Sequence, residues 1–129
     1  MKRKLYCNSI LFLLGGGSYG LIELLWRRYT HWSMLVTGGI CFLILYRLFT
    51  KIALWPVYTK CIIGSVVITL IEFTSGVIFN ILLKMKVWDY SSLPGNFMGQ
   101  ICIFYSFLWG LLSIPITALC KYIHRRFKW

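Results

Sequence analysis

The chain of 129 residues has few charged residues and almost no acidic ones. Asp and Glu number three against 14 Lys and Arg, which gives a formal net charge of +11. Charged residues make up 13% of the chain and hydrophobic residues 59%, whereas soluble domains average about 25% charged and roughly 45–50% apolar residues. Because a soluble globule of this size could not bury so much apolar surface, the composition predicts a protein embedded in a lipid bilayer.

Several absences exclude classes of site. None of the five cysteines belongs to a Cys-x-x-Cys pair, so we predict neither a disulfide framework nor a metal site. The glycine-rich stretch 15–20 has no lysine, so the chain lacks the phosphate loop of an ATPase. Its cations lie at the chain ends and between apolar runs, which argues against nucleic-acid binding. We therefore expect no cofactor, and a function other than catalysis is favoured, although an enzyme stays among the alternatives.

Four apolar runs are long enough to cross a bilayer, which takes about 20 residues each. They cover residues 5–26, 32–49, 61–83 and 98–120. The first run begins like a signal peptide, but it continues to Trp26, contains Glu23 and lacks an A-x-A-like cleavage site, which favours an uncleaved span. The sequence thus predicts an all-α integral membrane protein, a four-transmembrane-helix bundle forming a single domain over residues 1–129.

The basic residues also predict an orientation. Four spans place both chain ends and the middle connection on one side of the membrane. That side carries ten Lys and Arg residues and the other carries Arg27, Arg28, Lys84 and Lys86. Because basic residues concentrate on the cytoplasmic side, we expect both termini in the cytoplasm and the protein in the cell membrane.

Glu72 is the most informative of the three acids because it is the twelfth of 23 residues in the third predicted span. A charged group at the middle of a span costs about 2.5–3.5 kcal/mol on insertion scales and marks a candidate functional site. Small or polar residues recur near it at helical spacing: Ser65, Thr69, Ser75, Gly76 and Asn80. This stripe faces either a packing seam between helices or a functional site.

Glu23 lies near the outer end of the first span, one turn before Arg27 and two turns before His31. The spacing of Glu23 and Arg27 allows an ion pair on one helix face, and Tyr19 continues that face inward. Two interpretations stay open: an ion pair that holds the helix end at the interface, or a functional acid.

Two short matches suggest a duplicated helical hairpin. Residues Leu21-Ile22-Glu23 recur as Leu70-Ile71-Glu72, and Gly39-Ile40-Cys41-Phe42 loosely resembles Gln100-Ile101-Cys102-Ile103. Each copy would contain an outward span, an outer connection and a return span, with a longer connection in the second copy. Parallel repeats of this kind occur in transporters.

Three segments carry a resemblance to a known family. They are Glu72-Phe73-x-x-Gly76-x-x-x-Asn80, then Trp88-Asp89-Tyr90-Ser91, then Leu93-Pro94-x-Asn96-x-x-Gly99-Gln100-Ile101-Cys102. Over roughly residues 15–115 the chain resembles small bacterial membrane proteins catalogued as putative ABC-transporter type IV, which are similar to a vertebrate four-span family. The chain lacks their Gly-Pro and Pro-Ile-Tyr-Gly pattern in the second span. The resemblance implies a permease-type protein whose ATPase is a separate subunit.

Three functions fit these observations. The first is a permease-like or channel-like protein with a polar site around Glu72 that opens to the outer side, assembled as a homo-oligomer or with a separate membrane or ATPase subunit. The second is a non-catalytic accessory subunit of a membrane complex. The third is an intramembrane enzyme or lipid-head-group binder, with the outer cations holding a phosphate. The candidate pathway residues are Glu23, Glu72, Asn80 and Asp89, supported by Tyr19, Arg27, His31, Trp88, Tyr90, Asn96 and Gln100.

Overall fold

Four long helices make up most of the chain. The computed structural model describes residues 2–28, 31–85 and 87–127, except for the side chain of Arg27. The helices are α1 (Lys2–Arg27), α2 (Trp32–Lys51), α3 (Val57–Gly76) and α4 (Ile103–Phe127); α3 continues as a π-helical segment, Val77–Leu82. All four are long and apolar enough to cross a membrane. The chain is therefore an all-α, multi-pass membrane protein, and this prediction is confirmed.

Helix boundaries differ from the prediction mainly at α4. The fourth span was predicted to begin at Met98, but α4 begins at Ile103 because residues 96–102 form a short antiparallel hairpin, β1 (Asn96–Phe97) with β2 (Ile101–Cys102). The apolar side chains at residues 97–102 thus belong to this hairpin and not to a helix. At the other end, α4 continues through basic residues to Phe127, since a hydrogen-bonded helix need not stop where the apolar run stops.

The helices pair as two hairpins. α1 packs along α2 and α3 packs along α4, while α2 also contacts α3 and α4. We call the side where α1 joins α2 and α3 joins α4 the loop side, and the opposite side the terminal side. The small and polar stripe of α3 forms part of the seam with α4: the Ser65 hydroxyl donates to the Ser106 carbonyl (2.7 Å), and the Thr69 and Ser106 hydroxyls lie 2.8 Å apart.

The two hairpins cross in matching register. In the first, Gly16 lies against the Leu35 carbonyl and Gly15 against Phe42. In the second, Ser65 lies against the Ser106 carbonyl and Gly64 against Ser113. The same spacing along α1 and α3 makes Glu23 the counterpart of Glu72.

This register corrects one detail of the sequence comparison. The packing makes Leu35 and Phe42 of α2 the counterparts of Ser106 and Ser113 of α4. On that spacing Gly39–Phe42 corresponds to Gly110–Ser113, and the sequence match to residues 100–103 is out of register. Residues 100–102 precede α4 altogether, so that match does not relate two helices.

Two clusters of buried side chains fill the bundle. The larger one joins all four helices and includes Leu11, Leu45, Tyr46, Ile68 and Trp109. The smaller one lies on the loop side and contains Met34, Val87 and Trp88, with Tyr19 and Tyr90 packed against it. Since Val87, Trp88 and Tyr90 come from the connection between α3 and α4, that connection contributes to the interior.

Candidate functional site

The connection between α3 and α4 folds back into the bundle. We call residues 83–102 the re-entrant loop, of which residue 86 lies outside the described part of the chain. Val87, Trp88 and Gln100 of this loop are each at most 6% exposed. Non-helical backbone is tolerated within a membrane only where protein or water satisfies its polar groups, so the hydrogen bonds that hold this loop determine whether it can stay there.

Asn80 in the π-helical segment fastens the re-entrant loop. Its side-chain oxygen accepts from the backbone N–H of Val87 (2.7 Å), and its amide nitrogen donates to the side-chain oxygen of Gln100 (2.8 Å). The Gln100 amide in turn donates to the Met98 carbonyl (2.9 Å), and the Trp88 indole N–H donates to the Gln100 carbonyl (2.9 Å). Asn80 and Gln100, predicted as pathway and supporting residues, thus act here as a clamp on the loop.

Gly76 provides the space in which the loop is seated. A Cβ at this position would lie 2.5 Å from the Gln100 side-chain oxygen and 3.1 Å from Cζ2 of Trp88. Any larger residue would push the loop away from α3. The small residue at position 76 therefore serves close approach of the loop, not of another helix.

Asp89 and Asn96 shape the exposed turn of the loop. The Asp89 carboxylate accepts from the Ser91 backbone N–H (2.9 Å), and this hydrogen bond lowers the pKa of Asp89. The Asn96 amide donates to the Leu93 carbonyl (2.7 Å), and its oxygen accepts from the Gly99 N–H (3.1 Å). Asp89 is exposed and is not among the residues that line the cavity with Glu72, so the structure does not bring these two acids together.

Glu72 is buried in the loop-side half of its span and receives two hydrogen-bond donors. Only 7% of the residue is exposed. The Tyr90 hydroxyl donates to one carboxyl oxygen (3.2 Å), and the Trp109 indole N–H donates to the other (3.4 Å). Burial, and then the nearby Glu72 carboxylate, raises the pKa of Tyr90, so Tyr90 keeps its proton and donates. One donor comes from the re-entrant loop and the other from α4.

Aromatic rings surround this carboxyl group. Tyr90 stacks on Tyr105 with ring centroids 4.9 Å apart, and Trp109 lies 6.3 Å from Tyr105 and 6.2 Å from Tyr19. The Trp26 indole N–H also donates to the Tyr105 hydroxyl (3.4 Å). Through these contacts α1, the re-entrant loop and α4 meet around Glu72.

A cavity of about 110 Å³ lies next to Glu72, between the four helices. At its loop-side end the wall includes Glu72, Tyr19, Trp88 and Trp109. Apolar side chains from every helix form most of the rest: Ile22, Met34, Phe42, Leu45, Ile68, Ile71, Leu112, Ile116 and Leu119. Among the described residues of this wall there is no Lys, Arg or His.

The other predicted residues divide into two groups. Glu23 is half-buried on α1, lies within hydrogen-bonding reach of Tyr19 and is close enough to Glu72 to interact electrostatically. His31 instead caps α2, since its Nδ1 accepts from the Ser33 backbone N–H (3.2 Å). The side chain of Arg27 lies outside the described part of the structure. Tyr19, Glu23, Glu72 and Tyr90 thus come together, whereas His31, Asp89 and Asn96 serve local structure.

Two residues of the site were missed in the sequence. Trp109 and Tyr105 lie on α4, and neither was among the candidate residues. A signal was present: Trp109 follows Ser106 by three residues and precedes Ser113 by four, so it shares their helix face. Trp109 also lies in the middle of the predicted span 98–120, away from the interfaces where tryptophan is usually enriched. This position would have grouped it with Glu72.

Residues 18–129 match the model of the family described as putative ABC-transporter type IV. The chain belongs to this family. The matched region contains Glu72, the π-helical segment and the whole re-entrant loop, so the motifs that carried the resemblance are those that build the loop and its seat on α3. No curated protein and no solved structure gives a significant match to the chain.

Proposed function

We propose that this chain is the membrane-spanning component of a transport system, with its solute held in the cavity beside Glu72. One observation carries the proposal: the carboxyl group of Glu72, a residue only 7% exposed in the wall of a central cavity, takes one of its hydrogen bonds from a loop. Ionisable groups inside a membrane bundle typically mark substrate or ion pathways. A loop is the kind of element that moves to open such a site.

The re-entrant loop serves as the gate on the loop side. Trp88 of the loop lines the cavity and Tyr90 of the loop bonds Glu72, so movement of the loop away from the cavity requires the Tyr90–Glu72 hydrogen bond to break. The charge pattern supports an orientation with the loop side outside the cell and the chain ends in the cytoplasm. The gate therefore faces outward, and the basic terminal side faces the cytoplasm.

Energy coupling comes from another subunit. The chain has no phosphate loop, and the described bundle encloses only a small cavity, so we propose that it works with a separate ATPase subunit or a second copy of itself. The family description, with its reference to ABC transporters, supports the first arrangement.

Solute uptake by membrane vesicles tests the proposal. Vesicles from cells that overproduce the protein retain its native partner subunits. With ATP present we expect uptake of at least one member of a panel (protons, sodium, potassium, choline, phosphate) to exceed that of control vesicles. Glu72→Gln should reduce this excess at least tenfold, because the amide keeps the shape but loses the charge. Asp89→Asn should leave it unchanged, since Asp89 lies in the exposed turn. Equal uptake by wild-type, Glu72→Gln and control vesicles would overturn the proposal.

An accessory subunit of a membrane complex is the second candidate. The small cavity and its cover by the re-entrant loop favour this candidate, because both are compatible with a closed, structural bundle. Mild detergent extraction should then recover a stoichiometric partner, and uptake should be indifferent to Glu72→Gln. A chain that migrates alone or with copies of itself argues against this candidate.

A further inference from the structure

The cavity beside Glu72 is lined only by buried or half-buried residues on α2 and α3, but the lining on α1 and α4 includes exposed residues. Toward the terminal side of the aromatic cluster these are Ser18 on α1 and Leu119 on α4, which is 36% exposed. A residue that lines a cavity and is also exposed lies at its mouth. The cavity therefore opens between α1 and α4.

The packing of the helices agrees with this opening. Within the described residues, α1 and α4 are not among the helix pairs with extensive backbone contact. They meet through side chains near the loop side, where Trp26 bonds Tyr105 and Tyr19 packs against Trp109. Toward the terminal side α4 lines the cavity with Leu112, Ile116 and Leu119, and α1 contributes only the small residues Gly15 and Ser18. In a membrane such a gap leads into the hydrocarbon of the bilayer, not into water.

The charge in the cavity selects the ligand. Glu72 has no cationic neighbour among the described residues of the cavity wall, and a carboxylate in apolar surroundings needs a proton or a cation to offset the lost hydration. Three aromatic side chains, Tyr19, Trp88 and Trp109, line the cavity beside it. Aromatic faces attract ammonium groups, above all where water is excluded.

We propose that this cavity binds a single-chain cationic amphiphile, with its ammonium head against Glu72 and its alkyl chain leaving between α1 and α4. The proposal takes from the proposed function only that this cavity holds a ligand. A cavity of about 150 Å³ admits the six carbons of benzene, so the 110 Å³ here holds the ammonium head alone. The alkyl chain extends into the lipid, where its length is not limited by the protein.

Binding to the purified protein in lipid nanodiscs tests the ligand class without any transport. The probe is n-decyltrimethylammonium, whose charge does not depend on pH, and n-decanol and n-decyl sulfate share its chain. Calorimetric titration, corrected with empty nanodiscs, should show saturable binding of the cation. The alcohol and the sulfate should bind at least tenfold more weakly. Because this comparison uses only the wild-type chain, it does not depend on the folding of any variant.

Variants locate the head and the chain. Glu72→Gln should weaken binding of the cation at least tenfold, and Asp89→Asn should leave it unchanged. Ser18→Trp should weaken binding by narrowing the opening, because Ser18 is exposed and lines the cavity. Leu25→Trp should not, because Leu25 is 77% exposed on α1 and does not line the cavity. Each variant is first compared with the wild type by gel filtration and thermal midpoint.

The outcomes separate this inference from the proposed function. Absent saturable binding, equal binding of the alcohol, or full binding by a folded Glu72→Gln protein would overturn the inference, even if the vesicles take up a solute. Selective binding of the cation with no uptake of any solute would overturn the proposed function and leave the inference standing.

Discussion

Replacing Asn80 with leucine is expected to release the re-entrant loop from α3. The change removes the acceptor of the Val87 N–H and the donor to Gln100. Leaving a buried polar group unpaired costs about 1–3 kcal/mol. A loss of about 2 kcal/mol would raise the population of the open loop roughly 30-fold, since about 1.4 kcal/mol corresponds to a factor of ten.

Labelling of Cys102 measures this opening. Cys102 in β2 is only 2% exposed, so it reacts with a thiol reagent mainly when the loop opens. In a chain whose other four cysteines are alanine, a membrane-impermeant maleimide should label Cys102 roughly 30 times faster in Asn80→Leu. Thr74→Val is the matched control on the same helix, because the Thr74 hydroxyl is exposed and bonds its own helix at Leu70 (2.9 Å). An unchanged rate in Asn80→Leu would show that Asn80 does not hold the loop.

Leucine at position 16 is expected to disrupt the first hairpin, while leucine at position 17 is tolerated. A Cβ on Gly16 would lie 2.7 Å from the backbone carbonyl oxygen of Leu35, whereas a Cβ on Gly17 meets nothing within 4 Å. The Leu35 carbonyl belongs to the backbone of α2, so α1 and α2 must separate to admit a side chain. Overpacking of this kind costs about 1–3 kcal/mol and occasionally more.

Thermal unfolding of the two variants checks the expectation. Gly16→Leu should lower the thermal midpoint by at least about 5 °C, given roughly 4 °C per kcal/mol for a domain of this size. Gly17→Leu should keep or raise the midpoint, because leucine has the higher helix propensity. The two positions are adjacent in one helix, so depth and sequence context are nearly equal. Equal midpoints would mean that α1 and α2 are not in close contact at Gly16.

The four spans were predictable because apolar run length alone decides which segments cross a bilayer. The exceptional position of Glu72 was predictable for a related reason: a carboxyl group in a span has a large energetic cost, so its presence requires a partner. Tyr19 was also placed correctly on the face of Glu23 by helical periodicity. Asn80 was grouped with Glu72 by helical spacing, and the resemblance added Trp88, Tyr90 and Gln100, although it gave no arrangement for them.

The re-entry of the loop was not predictable from local pattern. The segment that contains Trp88 and Tyr90 follows an apolar span and contains turn formers, which also describes a loop lying on the membrane surface. Its depth depends on contacts between distant residues: the seat at Gly76 and the hydrogen bonds of Asn80. For the same reason the start of α4 was placed too early, since Met98 is apolar but belongs to the turn between β1 and β2.

The order of the segments along the chain affects how Glu72 enters the bilayer, because both of its hydrogen-bond donors follow it in the sequence. Tyr90 and Trp109 follow α3 in the chain, so α3 enters the bilayer before either donor can reach Glu72. Its insertion cost of about 2.5–3.5 kcal/mol then falls on α3 alone. Among the four described spans, the one that carries Glu72 has the highest mean hydropathy. The helix that presents the acid thus carries enough apolar surface to insert unaided, and the burial of the acid is completed only when α4 arrives.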